Sequence, residues 1–332
     1  SYSEVVSVVE AVLAGDKPTR RGAISAPLYD TPRAVSTGPN WAYLRIAEGC
    51  DNRCAYCVIP SLRGKFRSRT KESILEEARL LAASGVKELI IVAQDITRYG
   101  IDLYGKFCLT ELLKELCKFD FRWVRLHYLY PELIDDELID EIASEDKIVK
   151  YLDIPIQHIN DTILRRMNRR GTGEEIRALF KKLRERIPGL VLRTSLITGL
   201  PGEGEAEFEE LCDFLREAKI ERAGVFPYSP EEGTPAALMP DRCSTEEAQR
   251  RAELCMEIQA EIMDGFAETF IGRELDVLVM GREPDGTPWG RSEYDSPDID
   301  SRVIFSGGAA PGDMVRVRID SVDDGELIGE QI

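Results

Sequence analysis

The chain has 332 residues, enough for about two domains of ordinary size, with 43% apolar and 31% charged residues. No run approaches the roughly 18 uninterrupted apolar residues of a membrane-spanning helix, and a net charge of −17 argues against a surface built to neutralise phosphates. Eight cysteines, three of them close together and five scattered, do not make the dense pattern of a disulfide scaffold, so a reducing, cytoplasmic compartment is expected.

Residues 1–40 begin without an initiator Met and read as one amphipathic helix, Glu4–Leu13, followed by a linker rich in Pro, Gly and Ser. From Trp41 onward short β-rich runs alternate with longer amphipathic stretches. Strands are predicted at Ala42–Ala47, Glu88–Ala93, Trp123–Leu129, Tyr151–Pro155, Leu190–Ile197 and Ala223–Tyr228. Helices are predicted at Lys71–Ser84, Thr110–Phe119, Asp135–Ser144, Asp161–Ile187 with a break at Gly171 and Gly173, Glu205–Ala218 and Thr245–Phe270. Strands alternating with helices imply an α/β fold with a parallel sheet. Six such units give an incomplete (β/α)6 barrel, open on one side, with chemistry at the carboxyl ends of its strands. After Phe270 the pattern changes to short β runs, Glu274–Val279, Arg302–Phe305 and Met314–Ile319, broken by turn residues. The expected division is therefore 1–40, a helix and linker; 41–268, the partial barrel; and 269–332, a small all-β, OB-like barrel. From Arg273 to the end, 14 acidic residues face 6 arginines and no lysine, a net charge of −8 that suits a basic partner better than RNA.

Cys50, Cys54 and Cys57 form Cys-x3-Cys-x2-Cys directly after the first predicted strand. The spacing would also suit one face of a helix, but Gly49, Asp51, Asn52 and Pro60 punctuate the segment as a loop. Structural zinc requires a fourth ligand, and the only histidines, His127 and His158, are distant in sequence and read as buried, hydrogen-bonded residues at strand ends. Three thiolates on four irons leave one iron open, which is what a substrate-binding metal site needs. Cys108, Cys117, Cys212, Cys243 and Cys255 read as small buried hydrophobes.

This motif, placed after the first strand of a partial barrel, resembles the radical S-adenosylmethionine superfamily. The resemblance implies a [4Fe-4S] cluster on Cys50, Cys54 and Cys57 whose open iron is chelated by S-adenosylmethionine and whose electron cleaves that cofactor. The segment Val58 to Arg69, and an acidic β domain standing where the TRAM domain stands, resemble the methylthiotransferases. Ala93 to Gly100, Tyr128 to Pro131 and Tyr151 to His158 resemble their RimO type, which attaches a methylthio group to the β-carbon of an aspartate in ribosomal small-subunit protein twelve. The resemblance further implies S-adenosylmethionine contacts from Tyr56, Gln94, Gln157, Arg193, Phe226 and Tyr228, and from Thr198 within Ser195 to Glu203, where Ser195 stands in place of the superfamily's first Gly. It implies a basic ribosomal protein as substrate, met through the acidic terminal barrel, and an electron donor such as flavodoxin or ferredoxin. Neither a membrane nor direct nucleic-acid binding is expected, although Arg63, Lys65, Arg67 and Arg69 could touch a phosphate.

Methylthiotransferases usually carry an N-terminal domain whose three cysteines hold a second [4Fe-4S] cluster. No cysteine precedes Cys50, so Ser1 to Ala14 is expected to be the last helix of such a domain, and the chain as given is expected not to complete sulfur insertion. Two alternatives stay open: a tRNA-modifying methylthiotransferase of the MiaB type, and a metal-binding adaptor module without turnover.

Overall fold

The computed structural model describes residues 4–19, 34–38 and 40–332. Residues 20–33 and 39 of the expected linker lie outside them. A first helix, Val5–Leu13, buries none of its side chains. Six strands follow: β1 (Trp41–Arg45), β2 (Glu88–Val92), β3 (Trp123–Leu126), β4 (Ile148–Asp153), β5 (Val191–Thr198) and β6 (Arg222–Pro227). They pair in parallel in chain order and leave the sheet unclosed between β1 and β6. The expected partial barrel is thus present, and no helix among the described residues is long and apolar enough to cross a membrane.

The connecting helices are α1 (Lys71–Ala83), α2 (Leu109–Leu116), α3 (Asp136–Ser144), α4 (Gly173–Arg186), α5 (Glu205–Ala218) and α6 (Thr245–Glu268), with a short turn of helix at Asp161–Arg166. Their starts are fixed by side chains that satisfy otherwise unpaired N–H groups. Thr70 accepts from Ser73, Asp135 from Leu138, Ser244 from Glu247, and Thr172 with Glu175 forms a reciprocal capping box. The long pattern from Asp161 breaks at Asn168 and Gly171, whose φ values of +54 and +79 are left-handed, and α4 restarts at Gly173, where a Cβ would lie 2.3 Å from the Ile159 carbonyl oxygen. Alternate strand residues such as Leu44, Leu89, Ile91, Leu126, Leu152 and Leu192 face these helices in one continuous core. The other face of the sheet, with Trp123, Val149, Tyr151 and Val191, looks into the lumen and packs on Leu278.

Leu278 belongs to a second unit, a closed barrel of β7 (Glu274–Arg282), β8 (Pro288–Arg291), β9 (Val303–Ser306), β10 (Met314–Asp323) and β11 (Glu326–Gln331), hydrogen-bonded in the cyclic order β8-β9-β11-β10-β7. Only three of its strands are apparent from sequence. Charged side chains from both units meet inside the half-barrel. Glu88 lies between Arg125, at 2.6 Å, and Arg291, and Arg222 pairs with Asp295 at 2.7 Å.

His127 is buried on the same wall, with Nε2 3.0 Å from Ser296 Oγ. Burial, followed by the neighbouring Arg125 and Arg193, pushes its pKa from 6.5 down to about 3. The folded chain therefore refuses a proton that the unfolded chain accepts, so stability should fall as pH drops from about 6.5 towards 3. His127→Gln should flatten that slope, measured as urea midpoints at pH 7 and pH 5.

Candidate metal centre

β1 runs into a two-residue antiparallel pair, Ala47–Glu48 with Arg67–Ser68, and the cysteine loop lies between its halves. Its entry admits only glycine. Gly49 has φ +82, and a Cβ there would fall 2.2 Å from the Lys65 carbonyl oxygen. The Gly49 N–H donates to Gln94 Oε1 at 2.6 Å, and Cys50 N–H to the Gly64 carbonyl at 3.2 Å. Asn52 Nδ2 donates to Asp95 Oδ2 at 3.0 Å, while Arg98 donates both to that carboxylate and to Asn52 Oδ1. Ala55 N–H reaches the Met167 carbonyl at 2.8 Å. The loop is thus fixed to the carboxyl end of β2 on one side and to the segment after β4 on the other.

The three cysteines border one cleft of about 390 Å³, whose wall also includes Asn52, Tyr56, Gln94, Tyr128, Tyr130, Gln157 and Arg169. Cys54 is buried; Cys50 and Cys57 are half-exposed. Burial pushes the Cys50 thiol up to about 11, against a hydrogen bond from Asn52 N–H, and moves Cys57 the same way. Iron binds the thiolate, so cluster assembly must strip these protons. Among the described residues no three Cys, His, Asp or Glu gather as the shell of a single ion. A four-iron cube takes one thiolate per corner, so its ligands stand apart, and three cysteines around a cleft suit it.

Tyr128 and Gln157 both have left-handed backbone, φ +65 and +73. Such conformations are costly for large side chains and persist where the surroundings impose them. Here the Tyr128 carbonyl accepts from Ile96, and Gln157 bridges to β5 through Ser195 and Ile197. Both side chains border the cleft in consequence.

The structure brings together Cys50, Cys54, Cys57, Tyr56, Gln94 and Gln157. The other four proposed contacts do not line the cleft. Arg193 is committed to Asp153 at 2.9 Å, Thr198 Oγ1 donates to the Ala248 carbonyl at 2.9 Å, Phe226 is folded over Gly224, and Tyr228 borders a different pocket beside Gly199 and Cys243. The basic residues after the motif are largely used within the chain. Arg63 pairs with Glu48, Arg67 donates to two carbonyls, and Arg69 is buried against Glu77. Four of the scattered cysteines are buried, and Cys243 is half-exposed.

Arg169 escapes sequence reasoning. Its guanidinium lies 4.3 Å from the Tyr130 ring centroid, 3.8 Å from Cys54 Sγ and 2.6 Å from the Pro155 carbonyl, a cation beside the candidate ligands. Its one signal is local: arginines at 165, 166, 169 and 170 cluster where the helical pattern breaks.

The sequence profile of the radical SAM superfamily matches residues 44–215, and that of the TRAM domain residues 271–332. Two curated relatives, both ribosomal protein uS12 methylthiotransferase RimO, come from Caldanaerobacter subterraneus subsp. tengcongensis, 47% identical, and Pelotomaculum thermopropionicum, 50% identical. Each match covers 99% of this chain and 76% of the relative. Among solved structures, coproporphyrinogen III oxidase from Escherichia coli, a radical SAM enzyme, aligns with a TM-score of 0.52 at 20% identity, over 69% of this chain and 54% of that one. The radical S-adenosylmethionine methyltransferase TsrM from Kitasatospora setae gives 0.50 at 20% identity, over 59% and 38%. Both are likenesses of fold.

Proposed function

The chain belongs to the radical SAM superfamily and, within it, to the RimO family of methylthiotransferases, and from that premise we propose that the cysteine-lined cleft serves methylthio transfer to the β-carbon of an aspartate in ribosomal protein uS12. The observation that carries this reading is the convergence of Cys50, Cys54, Cys57, Gln94 and Gln157 on one cleft at the carboxyl end of the sheet. When bound, a [4Fe-4S] cluster supplies a reducing electron and an open iron for S-adenosylmethionine.

The chain's own residues prepare the place. Cys50, Cys54 and Cys57 offer three thiolates, and Gly49 fixes the first in position. Arg169 sets a positive charge beside the buried Cys54, against which anionic sulfur is stabilised. Gln94 already accepts from Gly49 through Oε1, which leaves its amide N–H groups for a cofactor carboxylate, and Gln157 supplies a second amide across the cleft. Tyr130, 3.1 Å from Cys54 Sγ, and Tyr56 shield the sulfurs from water.

The electron comes from a small acidic redox protein of the flavodoxin or ferredoxin kind, and the reaction belongs to the cytoplasm. The acidic terminal barrel favours a basic polypeptide and disfavours a phosphate backbone. Protein reconstituted anaerobically with iron and sulfide, reduced and given S-adenosylmethionine, should hold close to four irons, release 5′-deoxyadenosine and bind uS12 more tightly than tRNA. Preference for tRNA instead, or no retained iron, would overturn the reading.

A further inference from the structure

The loop joining β8 to β9, residues 292–302, leaves the terminal barrel and enters the lumen of the half-barrel. Its anchors are spread over the inner wall. Arg125 donates to the Glu293 carbonyl at 3.0 Å, Arg222 pairs with Asp295 at 2.7 Å, His127 meets Ser296 at 3.0 Å, and Tyr151 Oη donates to Asp300 Oδ2 at 2.6 Å. Ser292, Asp295 and Ser296 are fully enclosed as a result. Between these fixed points the chain turns over at Asp298, φ +66, and there it emerges: Asp298 and Ile299 are exposed.

Most acidic groups of the terminal barrel are already used. Glu283 and Glu326 hold Arg302, Asp320 and Glu330 hold Arg318, and Glu274 and Asp276 hold Arg316. The Asp298 carboxylate has no hydrogen bond or ion pair among the described residues. Asp323 and Asp324 are equally unpaired, but they lie at the β10–β11 turn. Ser296, two residues before Asp298, meets His127, which directly precedes Tyr128 of the cleft wall. The tip therefore stands near the cleft, and Asp298 adds to the burial that raises the pKa of Tyr43 in β1.

We propose that the Asp298-Ile299 tip is a specificity element for the polypeptide substrate, receiving a cationic side chain that neighbours the target residue, with Ile299 covering its aliphatic stem. A free carboxylate beside an exposed apolar group matches a lysine or arginine, whose charged head and apolar stem need different surroundings. The buried anchors hold the tip in place before binding, so little ordering is required. A phosphate chain would be repelled. The proposal rests on the substrate assignment made above and adds to it which part of the terminal barrel reads the substrate.

Asp298→Asn is the informative variant, because asparagine tolerates left-handed backbone as well as aspartate does and only the charge is lost. The measurement is the Kd of purified uS12 for the cluster-loaded protein at low and high salt. At low salt Kd should rise about fivefold, and the gap should close at high salt. Melting temperature and S-adenosylmethionine cleavage without uS12 should not change. An unchanged Kd at low salt, or a loss that persists undiminished at high salt, would overturn the role of the tip. Failure of the parent chain to bind uS12 would instead overturn the substrate assignment.

Discussion

Cys54→Ala should abolish iron retention and S-adenosylmethionine cleavage together. Cys54 is the buried member of the three cysteines, 3.1 Å from Tyr130 Oη and 3.8 Å from the Arg169 guanidinium, and neither a phenol nor a guanidinium supplies the thiolate that is lost. Removing residues that merely support a metal's ligands costs about 10- to 100-fold in affinity or activity. Loss of a ligand itself should exceed that range. Cys212→Ala provides the contrast. That thiol is buried against Cys255, at 3.9 Å, within the helical layer, and its loss should leave iron content unchanged. Iron and acid-labile sulfide analysis after anaerobic reconstitution reads both variants. Full iron in the Cys54 variant would show that the cluster is held elsewhere.

Glu88→Gln should produce the largest loss of stability. Glu88 is fully buried at the start of β2, and it contacts Arg125 of the sheet and Arg291 of the terminal barrel. Burial alone would raise its pKa, but Arg291 and Arg125 override that and hold it below the usual glutamate range. Neutralising it leaves two cations facing each other in a dry interior. Breaking a buried ion pair from one side costs roughly 3–5 kcal/mol, whereas an exposed pair such as Arg79 with Glu76 is screened by solvent and contributes little. Urea denaturation should show the Glu88 variant unfolding at clearly lower denaturant, with the Glu76→Gln variant beside the parent chain. Equal midpoints for both variants would mean that the charges in the lumen are not coupled.

Much of the half-barrel was legible because parallel strands buried on both faces read as short apolar runs between amphipathic helices. The fourth strand was misplaced. It begins at Ile148, not Tyr151, since Lys150 interrupts the run; its ammonium is held by the carbonyls of Ile142 and Glu145, which a linear pattern cannot reveal. The strands Pro288–Arg291 and Glu326–Gln331 were missed for a related reason. Pro288, Gly290 and Gly329 look like turn residues, yet a Cβ at Gly290 or Gly329 would strike a neighbouring strand's carbonyl at 2.4 or 2.2 Å, so glycine is what allows those strands to pair closely.

The cysteine loop was legible because its chemistry lies within eight residues. Arg169 and the Asn52-Asp95-Arg98 network were not, because they join segments more than forty residues apart. The loop after β8 is read from sequence only as part of the acidic terminal domain. Only the three-dimensional fold shows its Asp295 and Asp300 answering Arg222 of the lumen.

The order in which the terminal barrel closes also bears on biosynthesis. Its last strand, Glu326–Gln331, is inserted between β9 and β10, so the ring cannot be completed until the end of this sequence has left the ribosome. Until then the barrel that carries Arg291, the second cation on Glu88, stays open. Sheet and helices can assemble before Glu326–Gln331 has been made, whereas the terminal barrel that caps the lumen cannot close without it.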